Sequence, residues 1–366
     1  MEWELKQNDI IVQTVGSRPP LYDSMVGKTI MVNIDFEGSL LNQNSVRIRM
    51  KDGSNIYLFA HLKTKRYLEF IETIVRGNAN QVSITLVDLF LFEIPLPPIS
   101  EQLAIAHILG LIDSNINQNN QLITQKELQK KWLMQNLLTG KKRLKQNLQN
   151  SGINKINNED NSGNHENSDN SGSDKWKEVH IRDIAKEVSL KNKSDNQLTV
   201  LSCTKYNGLV ESLEYWGRKI FADDISTYKI VPKNHFAYAT NHIEEGSIGY
   251  QDSFDEALIS PIYTVFKTNS SINDNYFYML LKSYLLIYQY QNRMEGSIDR
   301  RGGLRWDAFS IIKILIPSYE EQTAIAQVLQ SADKEIQLLK TKTEKLREQK
   351  KGMMQVLLTG KKRLKI

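Results

Sequence analysis

The sequence has little cysteine and no long hydrophobic run. Its 366 residues include a single cysteine, Cys203, which excludes an intramolecular disulfide framework and a multi-cysteine zinc site. No stretch of eighteen apolar residues is present, so we expect no transmembrane helix. The first nine residues carry Glu2, Glu4 and Asp9 and lack the apolar core of a signal peptide. We therefore expect a protein of a bacterial-type cytoplasm, in which Cys203 is an inert core residue of an apolar strand.

Motifs of catalysis are lacking as well. Gly27-Lys28-Thr29 resembles the end of a P-loop, but Tyr22 stands where the earlier glycine is required, which favours an ordinary turn. We find no Gly-x-Gly-x-x-Gly and no Asn-Pro-Pro-Tyr or Asp-Pro-Pro-Tyr string of an adenine methyltransferase. The six histidines are scattered along the chain. We therefore expect no catalytic residue, no metal site and no cofactor in this chain.

Charge is unevenly distributed. The net charge is +5, yet acids outnumber bases five to two in residues 146–175, so the rest of the chain is more basic than the total. This is a mild indication of a polyanionic partner. The same segment contains nine Asn, five Ser and three Gly and lacks aromatic residues, a composition that predicts a disordered linker.

An internal repeat is the strongest feature. Residues 94–145 and 314–365 align without a gap at an offset of 220, with 24 of 52 positions identical. Both copies end in the same nine-residue string, Leu137–Lys145 and Leu357–Lys365. A repeat of this kind indicates a duplicated structural unit.

Each repeat is predicted to form one long helix, over Glu101–Leu138 and Glu321–Leu358. Apolar residues recur at alternating steps of four and three, which is the pattern of a coiled-coil seam. Because the two seams have equal length, we predict that the helices pair antiparallel. The predicted seam residues are Ile105, Leu109, Ile112, Ile116, Ile325, Leu329, Ile336, Leu339 and Leu346.

The remaining segments indicate two related domains of mixed secondary structure. Residues 176–318 combine short β-rich runs with one helical stretch at Asp274–Arg293. The N-terminal residues resemble the later part of this domain, with Asn8-Asp9-Ile10 aligning near Asn234-His235-Phe236, but lack roughly fifty residues at the front. We expect an α+β fold that is internally repeated. The expected divisions are 1–99 (a truncated first domain), 100–145 (first helix), 146–175 (linker), 176–318 (second domain) and 319–366 (second helix).

Several of these segments resemble a known family. They are the paired strings 94–102 and 314–322, the Ala-Ile-Ala helices that follow, and the Leu-Leu-Thr-Gly-Lys-Lys-Arg-Leu endings. In the second domain they are Trp176-Lys-Glu-Val, Ile181-Arg-Asp-Ile, Glu245-Gly-Ser-Ile-Gly249 and Ser260-Pro-Ile-Tyr263. The chain thereby resembles the DNA-specificity subunit of type I restriction–modification systems.

This resemblance implies two target-recognition domains that read a bipartite site on double-stranded DNA, with two conserved antiparallel helices between them. It also implies docking of methyltransferase subunits, joined by a nuclease–translocase subunit, and S-adenosylmethionine bound by the methyltransferase. The chain departs from the family in its short first domain, which leaves recognition of the first half-site open.

Candidate DNA contacts are chosen by position and charge, with a solvated turn as the alternative at each loop. Arginine pairs well with guanine and asparagine with adenine, whereas lysine binds phosphate. The candidates are Arg300, Arg301 and Arg305 in a basic loop, Asn241, His242, Gly246 and Ser247 in a polar loop, Lys191, Lys193 and Lys205 for phosphate, and Arg76 in the first domain. Trp216 and the tyrosines at 276, 278, 284, 288 and 290 are expected to be core rather than base-stacking residues.

Two functions from different classes remain. The first is a non-catalytic DNA-binding specificity subunit. The alternative is a coiled-coil scaffold or degraded remnant that no longer binds DNA, which the short first domain keeps open. An independent nuclease or methyltransferase is the least favoured function, because the sequence contains no motif for either.

Overall fold

A computed structural model describes residues 4–18, 25–77, 81–144, 175–192, 198–295 and 303–365. The chain divides into two compact units, Met1–Thr124 with Gln337–Ile366, and Gln125–Ile336. Both long helices therefore contribute to both units. The predicted linker lies outside the described residues except for Lys175. Among the described residues, none of the helices combines the length and the apolar character needed to cross a membrane.

The first unit contains a small antiparallel sheet and three short helices. Polar caps start the helices: the side chains of Ser54, Thr64 and Thr85 accept hydrogen bonds from the backbone N–H three residues later, at 3.3, 3.3 and 3.2 Å. The elements are β1 (Ile10–Gln13), β2 (Val15–Gly16), β3 (Thr29–Met31), a 3-10 helix (Ile34–Phe36), β4 (Ser45–Ile48), α1 (Asn55–His61), α2 (Lys65–Ile74), β5 (Val82–Ser83) and α3 (Leu86–Leu89). The sheet order is β3-β1-β4, and β2 pairs with β5.

The second unit repeats this sheet and adds further strands. Its strands are β6 (Lys177–His180), β7 (Ala185–Val188), β8 (Leu190–Lys191), β9 (Leu201–Thr204), β10 (Gly208–Glu211), β11 (Lys229–Pro232), β12 (His235–Ala239), β13 (Ile248–Gln251), β14 (Glu256–Ile259), β15 (Tyr263–Thr268) and β16 (Lys313–Ile316). Its short helices are α5 (Ile181–Ile184), α6 (Ser212–Trp216), α7 (Asp274–Leu281), α8 (Tyr284–Glu295) and α9 (Trp306–Ser310), with a 3-10 helix at Ile243–Glu245. The main sheet has the order β13-β12-β15-β7, and β6 pairs with β16.

Equivalent positions in the two units share an unusual backbone conformation. Asn8 and Asn234 precede β1 and β12 and have φ angles of 66° and 59°, in the left-handed region that asparagine tolerates. Their N–H groups donate to Val32 and Gln251, at 2.9 and 2.7 Å, next to β3 and in β13. The order β3-β1-β4 therefore corresponds to β13-β12-β15, and the alignment of these asparagines in sequence reflects a common fold.

Two helices of 39 residues each, α4 (Ile99–Leu137) and α10 (Tyr319–Leu357), pair antiparallel within each unit. In one unit Lys350 contacts Asp113 at 2.6 Å, and in the other Lys130 contacts Asp333, which is the same pair at the repeat offset. The apolar seam is buried at both ends and half-buried toward the middle. The buried seam residues are Ile105, Leu109, Ile116, Ile325, Leu329 and Ile336, and the half-buried ones are Ile112, Leu339 and Leu346.

The identical string at the end of each repeat contacts the start of the other helix. Arg363 donates to both carboxylate oxygens of Glu101, at 2.9 and 2.6 Å, and Leu364 N–H donates to the same carboxylate at 3.0 Å. Arg143 binds Glu321 in the same bidentate way, at 2.8 and 2.7 Å. Hydrogen bonds from Arg363 lower the pKa of the Glu101 carboxyl. The duplicated strings are thus explained by a contact that is made twice.

A glutamine beside each of these acids joins the long helix to the sheet-containing core of the same unit. Gln102 accepts a hydrogen bond from Ser54 N–H at 3.0 Å and donates to the Pro97 carbonyl at 2.8 Å. Gln322 makes the same contacts with Asn273 and Pro317, at 2.7 and 3.0 Å. Both glutamine side chains are buried, so each pair of bonds fixes the helix against its own core.

The structure confirms the α+β fold with internally repeated cores and two long antiparallel helices, and it corrects two details. The single helix predicted at Asp274–Arg293 is two helices, because α7 ends at Leu281 with Lys282 as its C-cap, and the Ser283 hydroxyl accepts from Leu286 N–H at 3.4 Å at the start of α8. Trp216, Tyr284 and Tyr288, expected in the core, are 49%, 78% and 53% exposed. Tyrosine and tryptophan occur both in cores and at surfaces, so residue type alone does not predict whether they are buried.

Candidate nucleic-acid interface

Two of the predicted DNA contacts meet in one cleft of the second unit. Asn241 and Arg305 both line a cleft of about 490 Å³, here called the polar cleft. It opens beside the ends of β12, β15 and α9. Its lining residues are Glu187, Lys229, Thr240, Asn241, Pro261, Ile262, Tyr263, Thr264, Arg305, Trp306 and Asp307.

A close backbone contact holds the two loops of the cleft together. Leu304 N–H donates to the Thr240 carbonyl at 2.7 Å. Gly303 has a φ of +63°, and a Cβ atom there would lie 2.5 Å from that carbonyl oxygen. Only glycine allows both the conformation and the approach, so Gly303 determines how near Arg305 lies to Asn241.

Buried residues position these exposed side chains. Asn241 follows β12, whose five residues are all buried, and Arg305 is the N-cap residue of α9, which is anchored by the fully buried Phe309. Both Asn241 and Arg305 are exposed. Within the described part of the chain, neither side chain has a hydrogen bond or ion pair. They are therefore available to an external partner, on a rigid support.

The cleft combines cations with acids. Lys229 donates to the Tyr263 carbonyl at 2.6 Å, and burial lowers the pKa of its ammonium group, while Glu187 raises it and Lys191 lowers it. Lys191 in β8 is exposed and lies opposite Lys229 in the strand register. Glu187 and Asp307 supply acceptors on the lining. The cleft therefore offers hydrogen-bond donors as well as acceptors, which suits base edges because these also present donors and acceptors.

The other candidates of the polar loop occupy different surroundings. Gly246 has a φ of +92° and ends the 3-10 helix, and Ser247 is only 6% exposed with its carbonyl bound by Ala239 N–H at 3.0 Å. Gly246 and Ser247 are therefore buried parts of the turn and do not belong to its exposed surface. His242 is exposed, and its Nδ1 lies 3.6 Å from Glu245.

The remaining candidates lie apart from the polar cleft. Lys205 is exposed in the turn between β9 and β10, where its carbonyl accepts from Lys282 at 2.8 Å. Arg76, in the first unit, forms an ion pair with Asp88 at 2.7 Å. Arg300, Arg301 and Lys193 lie outside the described residues.

Sequence reasoning missed several residues of the polar cleft. Lys229 and Asp307 both line the cleft, but neither is among the DNA contacts predicted from the sequence. A signal for Lys229 is its place at the start of β11, where it adds a cation to an otherwise apolar run. Cys203 shows no sign of reactivity, since burial raises the pKa of its thiol to about 12.

Comparison with known proteins identifies the family. Residues 2–125 and 173–348 match the type I restriction modification DNA specificity domain, and the first matched segment is the shorter. The type I restriction enzyme MjaVIII specificity subunit of Methanocaldococcus jannaschii is 26% identical over 99% of this chain and 80% of its own length. The putative MjaX specificity subunit of the same organism is 25% identical over 85% of this chain and 68% of its own length.

Solved structures show the same fold. The S subunit of a type I restriction–modification system from M. genitalium matches with a TM-score of 0.58 at 17% identity, over 96% of this chain and 83% of that one. A chain from a structural study of type I system assembly matches with a TM-score of 0.50 at 15% identity, over 98% and 83%. These findings do not favour the alternative of a scaffold or remnant. The chain belongs to the type I restriction–modification DNA specificity family and is a DNA-binding specificity subunit.

Proposed function

We propose that the polar cleft of the second unit reads base edges in one half of a bipartite DNA target. The observation that carries this proposal is the convergence of Asn241 and Arg305, from distant parts of the sequence, on one cleft with open side chains. Family membership makes DNA the partner, and the cleft provides a rigid, polar surface for it.

The chemistry of the cleft allows discrimination among bases. Arg305 is suited to guanine and Asn241 to adenine, and the carboxylates of Glu187 and Asp307 can accept from the amino group of cytosine. Lys191, next to the cleft, is suited to phosphate. Arg300, Arg301, Lys193, Lys205 and Arg76 stay in the proposal as further contacts, chosen by sequence alone.

Alanine variants test the reading role. Arg305→Ala and Asn241→Ala should each cost about 1–3 kcal/mol of binding to the preferred site and relax selectivity at one base position. Lys191→Ala should weaken all sequences alike and reduce the salt slope by about one unit. Binding is measured with the methyltransferase partner present, by titration on matched and single-mismatch duplexes.

Arg182→Ala is the matched control, because Arg182 is exposed on α5 and does not line the cleft. It should leave affinity and selectivity unchanged. If Arg305→Ala and Asn241→Ala behave like this control, the polar cleft does not read DNA.

The long helices are proposed to dock the methyltransferase, which would bind S-adenosylmethionine and be joined by the nuclease–translocase. Large apolar residues lie outside their seam and face solvent, which is typical of a helix that packs against partners. They are Leu111, Leu122, Leu128 and Trp132 on α4, exposed by 38–62%, and Leu338 on α10, exposed by 62%. The chain itself is proposed to contribute recognition and assembly but no catalysis.

Co-purification tests this docking. Leu128→Glu and Leu338→Glu should reduce recovery of a tagged methyltransferase subunit, because a buried charge opposes apolar packing. Leu213→Glu is the control, since Leu213 is 52% exposed on α6 rather than on a long helix. Equal recovery with all three variants would place the methyltransferase elsewhere.

A further inference from the structure

A strand–helix–strand segment covers one side of the recognition core in the second unit. Residues 177–188 form β6, α5 and β7 without interruption. β6 pairs with β16, Ile181 N–H donates to the Ile312 carbonyl at 3.0 Å, and β7 pairs with β15. The segment therefore completes two edges of the core at once, and it buries Ile181 and Ile184.

The same two edges are open in the first unit. β4, the equivalent of β15, pairs only with β1 among the described residues. Residues 93–96 are the equivalents of β16 at the repeat offset, and they form no strand. An unpaired strand edge with free N–H and C=O groups is a template for another strand.

Exposure at equivalent positions shows what the missing cover leaves open. Leu96 is 59% exposed, whereas its equivalent Ile316 is 7% exposed. Phe90 is 66% exposed, whereas Ser310 is 6% exposed. Phe90 is a large apolar residue and Ser310 is a small polar one, so a change to a polar residue does not explain why position 90 is exposed. The exposure coincides with the absence of a covering segment among the described residues.

These side chains form an apolar surface along the open edges. Val87 and Leu91, which lie close to Phe90 in sequence, are 76% and 65% exposed, and their equivalents Asp307 and Ile311 are exposed in the second unit as well. Together with Phe90 and Leu96 they line α3 and the segment that follows it. Apolar groups clustered in this way mark an interaction surface.

One charge in this region is reversed between the two units. In the second unit Lys313 of β16 binds Glu178 of β6 at 2.7 Å. Its equivalent in the first unit is Glu93, which is exposed. A segment that fits the first unit should therefore carry a basic residue where the second unit has Glu178.

We infer that the open edge of the first unit, formed by β4 and residues 87–96, binds a strand–helix–strand segment of a separate polypeptide. The segment pairs with β4 and with residues 93–96 in the way that residues 177–188 pair with β15 and β16. It is apolar at the positions of Ile181 and Ile184 and basic at the position of Glu178. Strand addition of this kind combines main-chain hydrogen bonds with side-chain pockets.

A peptide carrying residues 177–188 with Glu178→Lys is the probe, and the full chain is the target. The labelled peptide should bind in fluorescence anisotropy, and amide exchange should slow at residues 45–48 and at Ile94 and Leu96, since Pro95 has no amide hydrogen. The peptide with Glu178 retained should bind about fivefold more weakly, as expected for the loss of one exposed ion pair. An Ile181→Asp peptide should not bind.

Variants of the target locate the site. Leu96→Asp should abolish binding of the peptide. Leu285→Asp is the matched control, because Leu285 is 47% exposed in the second unit, and it should bind the peptide as the unmodified chain does.

A fused form tests the same contact when a free peptide binds weakly. The Glu178→Lys segment is attached ahead of Met1 by about twenty Gly and Ser residues, a linker that spans roughly 25 Å and gives a local concentration near the millimolar range. The fused segment should slow exchange at residues 45–48 and at Ile94 and residue 96, and Leu96→Asp should remove this effect at residues 45–48 and at Ile94.

Three results would overturn the inference. One is exchange at residues 45–48, Ile94 and Leu96 that is already as slow as at residues 263–268 in the chain alone. Another is no slowing with the fused segment. The third is protection of these residues through self-association of the chain, which would make a second copy the occupant. None of these readouts involves DNA, so the result is independent of the proposed function of the polar cleft.

Discussion

The two units contain the same three-stranded core, but they differ in how completely it is covered. In the second unit β7 extends the sheet, and β15 contains the fully buried Val265 and Phe266. In the first unit all four residues of β4 are half-buried. One core sequence pattern thus supports both a closed and an open core, and the segment that closes these two edges in the second unit is residues 177–188.

The largest expected effect compares equivalent core residues of the two units. Phe266 stacks on Phe236 with ring centroids 5.0 Å apart, and Ile48 occupies the equivalent place in β4. Phe266→Ala should cost about 3–5 kcal/mol, because it leaves a cavity in a dry core. Ile48→Ala should cost about 1–2 kcal/mol, because its site is half-open.

Hydrogen exchange, followed separately in the strands of each unit, measures both costs. Equal losses would mean that the open edge of the first unit is covered in solution. When the complementary segment is bound, the cost of Ile48→Ala should rise toward that of Phe266→Ala.

The next effect is a pH dependence of the first unit. His61 is 3% exposed at the end of α1, and burial lowers the pKa of its imidazole from 6.5 to about 4. The folded state favours the neutral imidazole, and above pH 6.5 the imidazole is neutral in both the folded and the unfolded state. As the pH falls from 6.5 toward 4, the free energy of unfolding decreases by about 3 kcal/mol, because the unfolded state takes up the proton first.

Leu280 occupies the equivalent position of α7 in the second unit and is 2% exposed. His61→Leu should therefore flatten the stability of the first unit between pH 6.5 and 4. Urea unfolding followed by hydrogen exchange at several pH values checks this. An unchanged slope in the variant would show that another group is responsible.

A third prediction concerns the polar cleft of the second unit. Gly303→Ala introduces a Cβ atom 2.5 Å from the Thr240 carbonyl oxygen. It should cost about 1–3 kcal/mol of stability and lower DNA affinity, because the loops of Asn241 and Arg305 move apart.

Gly217→Ala is the control for this prediction. Its φ is +62°, nearly that of Gly303, but no atom lies within 4 Å of the added Cβ. It therefore measures the backbone strain alone, and DNA affinity should not change. Similar DNA affinity in both variants would show that the distance between the two loops does not matter for binding.

The smallest effects concern the duplicated ion pairs at the helix ends. Arg143 is 34% exposed in its side chain and lies over the Trp176 ring at 5.8 Å, whereas Arg363 is 62% exposed. Arg143→Gln should cost about 1–2 kcal/mol, and Arg363→Gln less. Arg347→Gln, at an exposed pair with Glu344, is the control and should have no measurable effect. Thermal unfolding of the three variants ranks them.

The ion pair between Arg363 and Glu101 also predicts that stability depends on pH in the acidic range. Because the pKa of Glu101 is lowered from 4.5, the stabilisation by this pair is present above pH 4.5 and is lost as the pH falls through the lowered value. Arg363→Gln should remove this part of the acid dependence. If the variant retains it, another carboxylate is responsible.

Much of the fold was predictable because it rests on local or repeated patterns. The spacing of Ile105, Leu109 and Ile116 requires a helix with one apolar face, and a second helix with the same spacing supplies the partner. The break at Ser283 was not predictable from the run of tyrosines and leucines, because it depends on a hydroxyl that caps α8. The exposure of Tyr284 and Tyr288 follows from this break, which changes the face that α8 presents.

The candidate site was predictable only in part. Residue type and loop context predict Asn241 and Arg305 as separate contacts, and nothing in the sequence indicates that they share a cleft. The same criteria predict Ser247, yet it is buried, because the turn ended by Gly246 directs it inward. Residue type in a loop indicates possible chemistry but not the direction of a side chain.

Identical strings and a regular apolar spacing are enough to predict the family, the duplication and the paired helices, because they leave few alternative structures. Which loops meet in the polar cleft, and which edges of the first unit stay open, follows only from the folded chain. Both depend on contacts between residues far apart in the chain, such as Leu304 with Thr240 or Ile181 with Ile312. A strand edge is open or closed according to what lies beside it, and no local pattern in the strand records its neighbour.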